Sequence, residues 1–134
     1  MSEASSDCVL IVDDDTDICE TIRTILEIYG YKAVTANDGA EALALLRGGI
    51  RPSLIILDLM MPRMNGAQFR QAQLREPAFR AIPVMVLSCD GRAEAKAADL
   101  GLEGLRKPVE LEVLLAAVRR MTAIRETTLP SDLI

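Results

Sequence analysis

Three runs of four apolar residues in this chain each stop at a side chain that needs water or a cation. Val9-Leu10-Ile11-Val12 ends in Asp13-Asp14-Asp15, Leu54-Ile55-Ile56-Leu57 ends in Asp58, and Val84-Met85-Val86-Leu87 ends in Ser88. Runs this short suit strands buried on both faces, as in a parallel sheet. Desolvating an unpaired carboxylate costs several kcal/mol or more. Asp58 therefore emerges into water at the strand end or meets a partner there. Ligands of open parallel sheets bind at the carboxyl ends of the strands, where the topology switches direction. Three such ends would collect carboxylates and a hydroxyl in one crevice.

Helical patterns separate the runs. Asp15-Thr16-Asp17 supplies a helix start, with acids near the positive end of the helix dipole. Ile18, Ile22, Ile25 and Leu26 then form one apolar stripe, and Gly30 stops the helix. Tyr31 to Ala36 reads as a more polar strand, nearer a sheet edge. Asn37 to Glu41 opens a second helix, with Asp38 and Glu41 at capping-box spacing. Leu43, Leu45 and Leu46 carry its apolar side, and Gly48-Gly49 ends it. A loop from Met60 to Asn65 leads to a helix from Gly66 to about Glu76, closed by Pro77. Asp90-Gly91 starts a fourth helix that ends at Gly101, and Gly104 to Arg106 forms a short strand. The last helix carries Leu111, Leu114, Leu115 and Val118. The β-α alternation, five times over with short connections, predicts an α/β sandwich around a central parallel sheet.

The 134 residues provide for one domain with a real core. We expect that domain at 7–124, with 1–6 and 125–134 as terminal extensions and no attached output domain. The net charge of −5, without a Lys/Arg-rich run, argues against direct nucleic-acid binding. No apolar run approaches a membrane span, and the polar start is unlike a signal peptide. Cys8, Cys19 and Cys89 have no metal-ligand spacing, and the chain has no His, so zinc is disfavoured. Reduced thiols in a cytoplasmic protein are the expectation.

Asp13, Asp14 and Asp58 close together would repel strongly and need cations. Lys107, just past the last short strand, can supply one charge and a hard divalent ion the rest. Oxygen-only ligands select Mg²⁺, or Mn²⁺, over zinc or copper. Metal, ammonium and the Ser88 hydroxyl together form a clamp for a phosphoryl group. Asp58 is the carboxylate best placed to be the nucleophile, and it needs no general base because it is already ionised at neutral pH.

Val12-Asp13-Asp14, Leu57-Asp58 followed by Met61-Pro62 and Gly66, Leu87-Ser88 and Lys107-Pro108 together resemble the receiver domain of bacterial two-component response regulators, the CheY-like family. The resemblance spans roughly residues 7 to 122. It implies a doubly wound, flavodoxin/CheY-like five-stranded parallel sheet of order 2-1-3-4-5 with five helices. It implies that Asp58 is the phosphoacceptor, charged by a histidine kinase or histidine phosphotransfer protein. Asp14, Asp58 and the Met60 backbone carbonyl would ligate Mg²⁺, with Asp13 acting mostly through water. Lys107 would hold a phosphoryl oxygen, with a cis bond to Pro108. Ser88 would be the switch hydroxyl, rearranging the face of the fourth helix, fifth strand and fifth helix that meets a downstream protein. Such a domain catalyses its own phosphorylation and dephosphorylation and is otherwise not an enzyme.

Two residues depart from the pattern. Gly104 stands where the family usually has Tyr or Phe, and Val109 where it often has Phe. The aromatic half of the switch is missing, so the signal is expected to run through Ser88, the following loop and the fourth helix. Rival readings fit less well. An Asp-based phosphohydrolase or phosphotransferase would usually carry an acid two residues after the nucleophile, where this chain has Met60. A flavin-binding module of the same fold needs a Ser/Thr/Gly phosphate loop where this chain has three aspartates. A receiver-shaped module that is never phosphorylated would not need Asp14, Asp58 and Lys107 intact.

Overall fold

The computed structural model describes residues 8–59, 61, 64–88 and 93–126, with the side chains of 88, 93, 94, 96 and 123–126 excepted. Strands and helices alternate: β1 (Cys8–Val12), α1 (Thr16–Ile28), β2 (Lys32–Ala36), α2 (Gly39–Arg47), β3 (Leu54–Leu57), α3 (Gly66–Arg75), β4 (Val84–Ser88), α4 (Ala93–Asp99), β5 (Glu103–Arg106) and α5 (Leu111–Glu126). The five strands form one sheet in the order β2-β1-β3-β4-β5, and every pairing is parallel.

The apolar runs are buried as expected. Every residue of β1 and β3 is inaccessible to solvent or nearly so. Their side chains alternate between two cores, as the period of two in a strand requires. Val9, Ile11, Leu54, Ile56, Met85 and Leu87 pack toward α1 and α5. Leu10, Val12, Ile55, Leu57 and Val84 pack toward α2 and α3. Each fully buried Leu or Ile contributes roughly 1.5–3 kcal/mol, which is why the three central strands carry no polar residue before their ends. β2 and β5 lie at the edges and are only partly buried.

Three helix starts are fixed by side chains. Asp15 caps α1, its carboxylate accepting from the Asp17 and Ile18 amides at 3.0 and 3.3 Å. Asp38 caps α2 by accepting from the Glu41 amide at 2.8 Å, but the Glu41 carboxylate accepts from the Asn37 amide instead of closing a box on Asp38. The reciprocal box occurs on α3, between Asn65 and Gln68. Gly30 follows α1 with φ 94°, a left-handed conformation that favours glycine.

Some local expectations need correction. β5 begins one residue early, at Glu103. Leu111 is not part of the α5 core face but 41% exposed, whereas Leu114, Leu115 and Val118 are buried. The segment after Pro77 is more than a connection: Phe79 and Ile82 are buried in the α2/α3 core. Buried Gln73 holds that segment, donating to the Phe79 and Ile82 carbonyls at 2.9 and 3.1 Å. The expected start of the fourth helix at Asp90-Gly91 lies outside the described residues.

Candidate functional site

The register of the two central strands sets the site. Val12 pairs with Leu57, and the Asp58 amide donates to the Val12 carbonyl at 2.9 Å. Asp13 and Asp58 are therefore the next residues along the two strands, one from each. The Asp13 amide donates to the Ala36 carbonyl at 3.1 Å, which ties the acidic turn to the end of β2. Asp14 is exposed, whereas Asp13 and Asp58 retain only 2% and 4% of their accessible surface. One carboxylate oxygen from each of the three lies within 4.8 Å of the others.

Lys107 enters from the end of β5 and joins the two buried acids. Its Nζ is 2.6 Å from Asp13 Oδ2 and 3.6 Å from Asp58 Oδ2. Asp13 Oδ1 accepts from the Asp15 amide at 2.9 Å, so both oxygens of this carboxylate are engaged. The Lys107–Pro108 peptide is cis. Below the acids, the Cys19 thiol donates to the Asp13 carbonyl at 3.3 Å. Burial, and then the charge of Asp13, push that thiol up to about 11.

The charges do not balance. Two carboxylates 4.8 Å apart repel by about 3–4 kcal/mol at an effective dielectric of 20. Among the described residues, three acids against one ammonium leave the cluster at −2, and a divalent cation would neutralise it. The donors are oxygens alone, and Asp14 leaves the group open to solvent, so the residues present fit Mg²⁺ or Mn²⁺.

The cluster opens into a cavity of about 640 Å³ between α1 and α5. Its acidic end holds Asp13, Asp14, Asp58 and Lys107, and its walls are apolar, from Ile18, Ile22 and Ile25 on one side and Val109, Leu111 and Leu114 on the other. The structure thus brings Asp13, Asp14, Asp58 and Lys107 together. Ser88 ends β4 as the register partner of Arg106, and its side chain lies outside the described residues, as does Met60.

The profile of the response regulator receiver domain matches residues 9–119. The chain belongs to that family. Among curated relatives it is 39% identical over 127 residues to the response regulator MprA of Mycolicibacterium vanbaalenii, and 38% identical to MprA of Mycobacterium avium. Those alignments cover 92% of this chain but 52% and 53% of the relatives, so the chain spans about half their length. Among solved structures, the chemotaxis protein CheY4 of Vibrio cholerae superposes with a TM-score of 0.78 at 34% identity, covering 87% of this chain and 98% of that one. The signal receiver domain of a histidine kinase from Syntrophus aciditrophicus gives 0.78 at 32% identity, with 88% and 91% covered. This chain is therefore a receiver domain of the kind found in the response regulators of two-component signalling. No helix among the described residues is long and apolar enough to cross a membrane.

What the sequence did not reveal is the second layer of the site. The Cys19–Asp13 contact joins a residue of α1 to the turn after β1, six positions away. The cavity walls become visible only when α1 and α5 are placed side by side.

Proposed function

We propose that this receiver domain accepts a phosphoryl group on Asp58 from a histidine kinase or histidine phosphotransfer protein, and passes the signal on through protein–protein contacts. The observation that carries the reading is the buried Asp13–Lys107–Asp58 bridge, with Asp14 beside it. A carboxylate oxygen of Asp58 attacks phosphorus, the phosphorus–nitrogen bond of the donor phosphohistidine breaks, and its electron pair returns to the imidazole. The leaving imidazole takes up a proton from solvent.

Mg²⁺ held by Asp14, Asp58 and the Met60 carbonyl, with Asp13 acting through water, would neutralise charge on the phosphoryl oxygens. Lys107 is already within 3.6 Å of Asp58 and would hold one of those oxygens. The Ser88 hydroxyl would donate to another. Because Asp58 is buried and its cavity wall is apolar, the donor imidazole is best presented by an apolar surface that fits between α1 and α5. The domain would catalyse only its own phosphorylation and dephosphorylation.

The output would leave through the α4–β5–α5 face, toward a protein and not toward nucleic acid. Gly104 offers no aromatic ring to swing inward, so Ser88, the loop after it and α4 would carry the switch. We place the functional unit at 7–124, with short extensions at 1–6 and 125–134, in the cytoplasm.

Incubation with acetyl phosphate and Mg²⁺ followed by intact mass tests the core of this reading. One added phosphoryl group is expected, dependent on the divalent ion and lost in Asp58→Asn. An unchanged mass for the wild-type chain, or equal labelling of Asp58→Asn, would overturn it.

A further inference from the structure

The loop that follows Asp58 is held at two places, and the second lies on a different helix. At its far end, the Gly66 amide donates to the Leu59 carbonyl at 3.1 Å. A Cβ on Gly66 would lie 2.7 Å from the Leu59 Cα and 2.8 Å from the Asp58 carbonyl oxygen. Gly66 is therefore packed against the Asp58–Leu59 peptide, and any shift of Gly66 reaches the residue that precedes the loop.

The second hold is Gly39, the first residue of α2. It is buried, and its amide donates to the Met64 carbonyl at 3.3 Å. A Cβ there would meet Met64 at 2.8 Å from Cγ, 2.9 Å from Sδ and 3.1 Å from Cβ. Gly39 does not have a positive φ, so its backbone conformation is open to any residue. What glycine provides at this position is space, and Met64 fills it.

The helix start is held in place, so a methyl on Gly39 must be met by a shift of Met64, which is partly buried. The start of α2 is fixed by the Asp38 cap and by the Asn37–Glu41 hydrogen bond at 2.7 Å. The preceding Ala36 carbonyl accepts from the Asp13 amide. Met64 packs against the α2/α3 core, which includes Leu57 and Phe69. We propose that Gly39 is a positioning residue for the phosphoacceptor loop: its bare α-carbon seats the Met64 side chain while its amide holds the Met64 carbonyl. It touches no reacting atom and acts through Met64, Gly66 and Leu59 on the placement of Asp58.

This inference rests on Asp58 being the phosphoacceptor, so its test carries a second readout. Gly39→Ala, Met64→Ala and the double variant are compared by backbone amide NMR of the metal-free protein and by the rate of phosphorylation from acetyl phosphate with Mg²⁺. Gly39→Ala is expected to shift the Asp58, Leu59 and Gly66 amides. It should also slow phosphorylation by about 10–100-fold, the scale of a sub-ångström to 1 Å misplacement. Met64→Ala removes the Cγ and Sδ that the new methyl would strike and leaves only the Cβ, at 3.1 Å, so the double variant should come within about twofold of Met64→Ala alone. Wild-type amides and rate in Gly39→Ala, or a double variant that falls below Met64→Ala by as much as Gly39→Ala falls below wild type, would overturn the proposal. If Gly39→Ala does not fold, a folded and active double variant supports the proposal and an unfolded one refutes it. A wild-type chain that takes no phosphoryl group would defeat the functional reading, while the amide shifts would still decide the role of Gly39.

Discussion

Lys107→Met removes the ammonium from between two buried carboxylates and leaves the rest of the cluster in place. The lysine side chain is 12% exposed, and those of Asp13 and Asp58 are 3% and 5% exposed. At an effective dielectric of 20, the 2.6 Å and 3.6 Å contacts are worth about 6 and 5 kcal/mol of attraction. Much of that is offset in the wild type by desolvating the ammonium, a cost the variant escapes. Buried pairs broken from one side lose about 3–5 kcal/mol, because the remaining charge is left without its counterion. For a chain of 134 residues this lowers the melting temperature by roughly 10–20 °C. Thermal melts followed by circular dichroism, at low ionic strength and without divalent ions, measure it. Mg²⁺ should then raise the melting temperature of the variant more than that of the wild type, since it binds the more negative cluster more tightly. Arg120→Met is the control. It breaks the pair with Glu103, whose partners are 54% and 41% exposed, and should cost no more than about 1 kcal/mol. Equal losses in the two variants, or a Lys107→Met protein melting within about 3 °C of wild type, would show that the buried bridge does not stabilise the fold.

Three further outcomes follow from other parts of the structure. Asp15→Ala removes the cap of α1 and should destabilise by about 1 kcal/mol in a denaturant titration, with phosphorylation on Asp58 unchanged. Gln73→Leu deprives the Phe79 and Ile82 carbonyls of their buried donor; a loss of about 2–4 kcal/mol is expected, and a loss below 1 kcal/mol would contradict the strut role. The Cys19 thiol has a folded-state value of about 11, above its ordinary 9.0, so the folded chain holds this proton where the unfolded chain releases it. Its contribution to stability is full below pH 9 and is lost as pH rises toward about 11. Cys19→Ala should flatten that alkaline slope, and an identical slope in both proteins would show the thiol to be irrelevant.

The central strands and the acidic site were legible because the same residues encode both. Buried on both faces, β1, β3 and β4 had to be written as continuous apolar runs, and their polar ends had to fall at one edge of the sheet. The α1 stripe and the Asp15 cap were legible for a related reason, since both depend on contacts within a few residues. Long-range packing was not. Gln73 lies among polar residues of α3 and looks like a solvent-facing position until Phe79 and Ile82 are folded beneath it. Leu111 keeps the helical spacing of the α5 core face, yet it borders the cavity in the first turn of the helix and stays exposed. Glu41 has the spacing of a capping box, but it turns back one residue further, to Asn37. Nothing local in the sequence couples Gly39 to Met64, which are 25 positions apart.

Which carboxylate carries the phosphoryl group can be read chemically. Borohydride reduction of the acyl phosphate converts the modified aspartate to homoserine, and peptide mapping then locates it. Homoserine is expected at position 58 alone. Homoserine at Asp13 or Asp14, or at no position after treatment with acetyl phosphate and Mg²⁺, would contradict Asp58 as the phosphoacceptor.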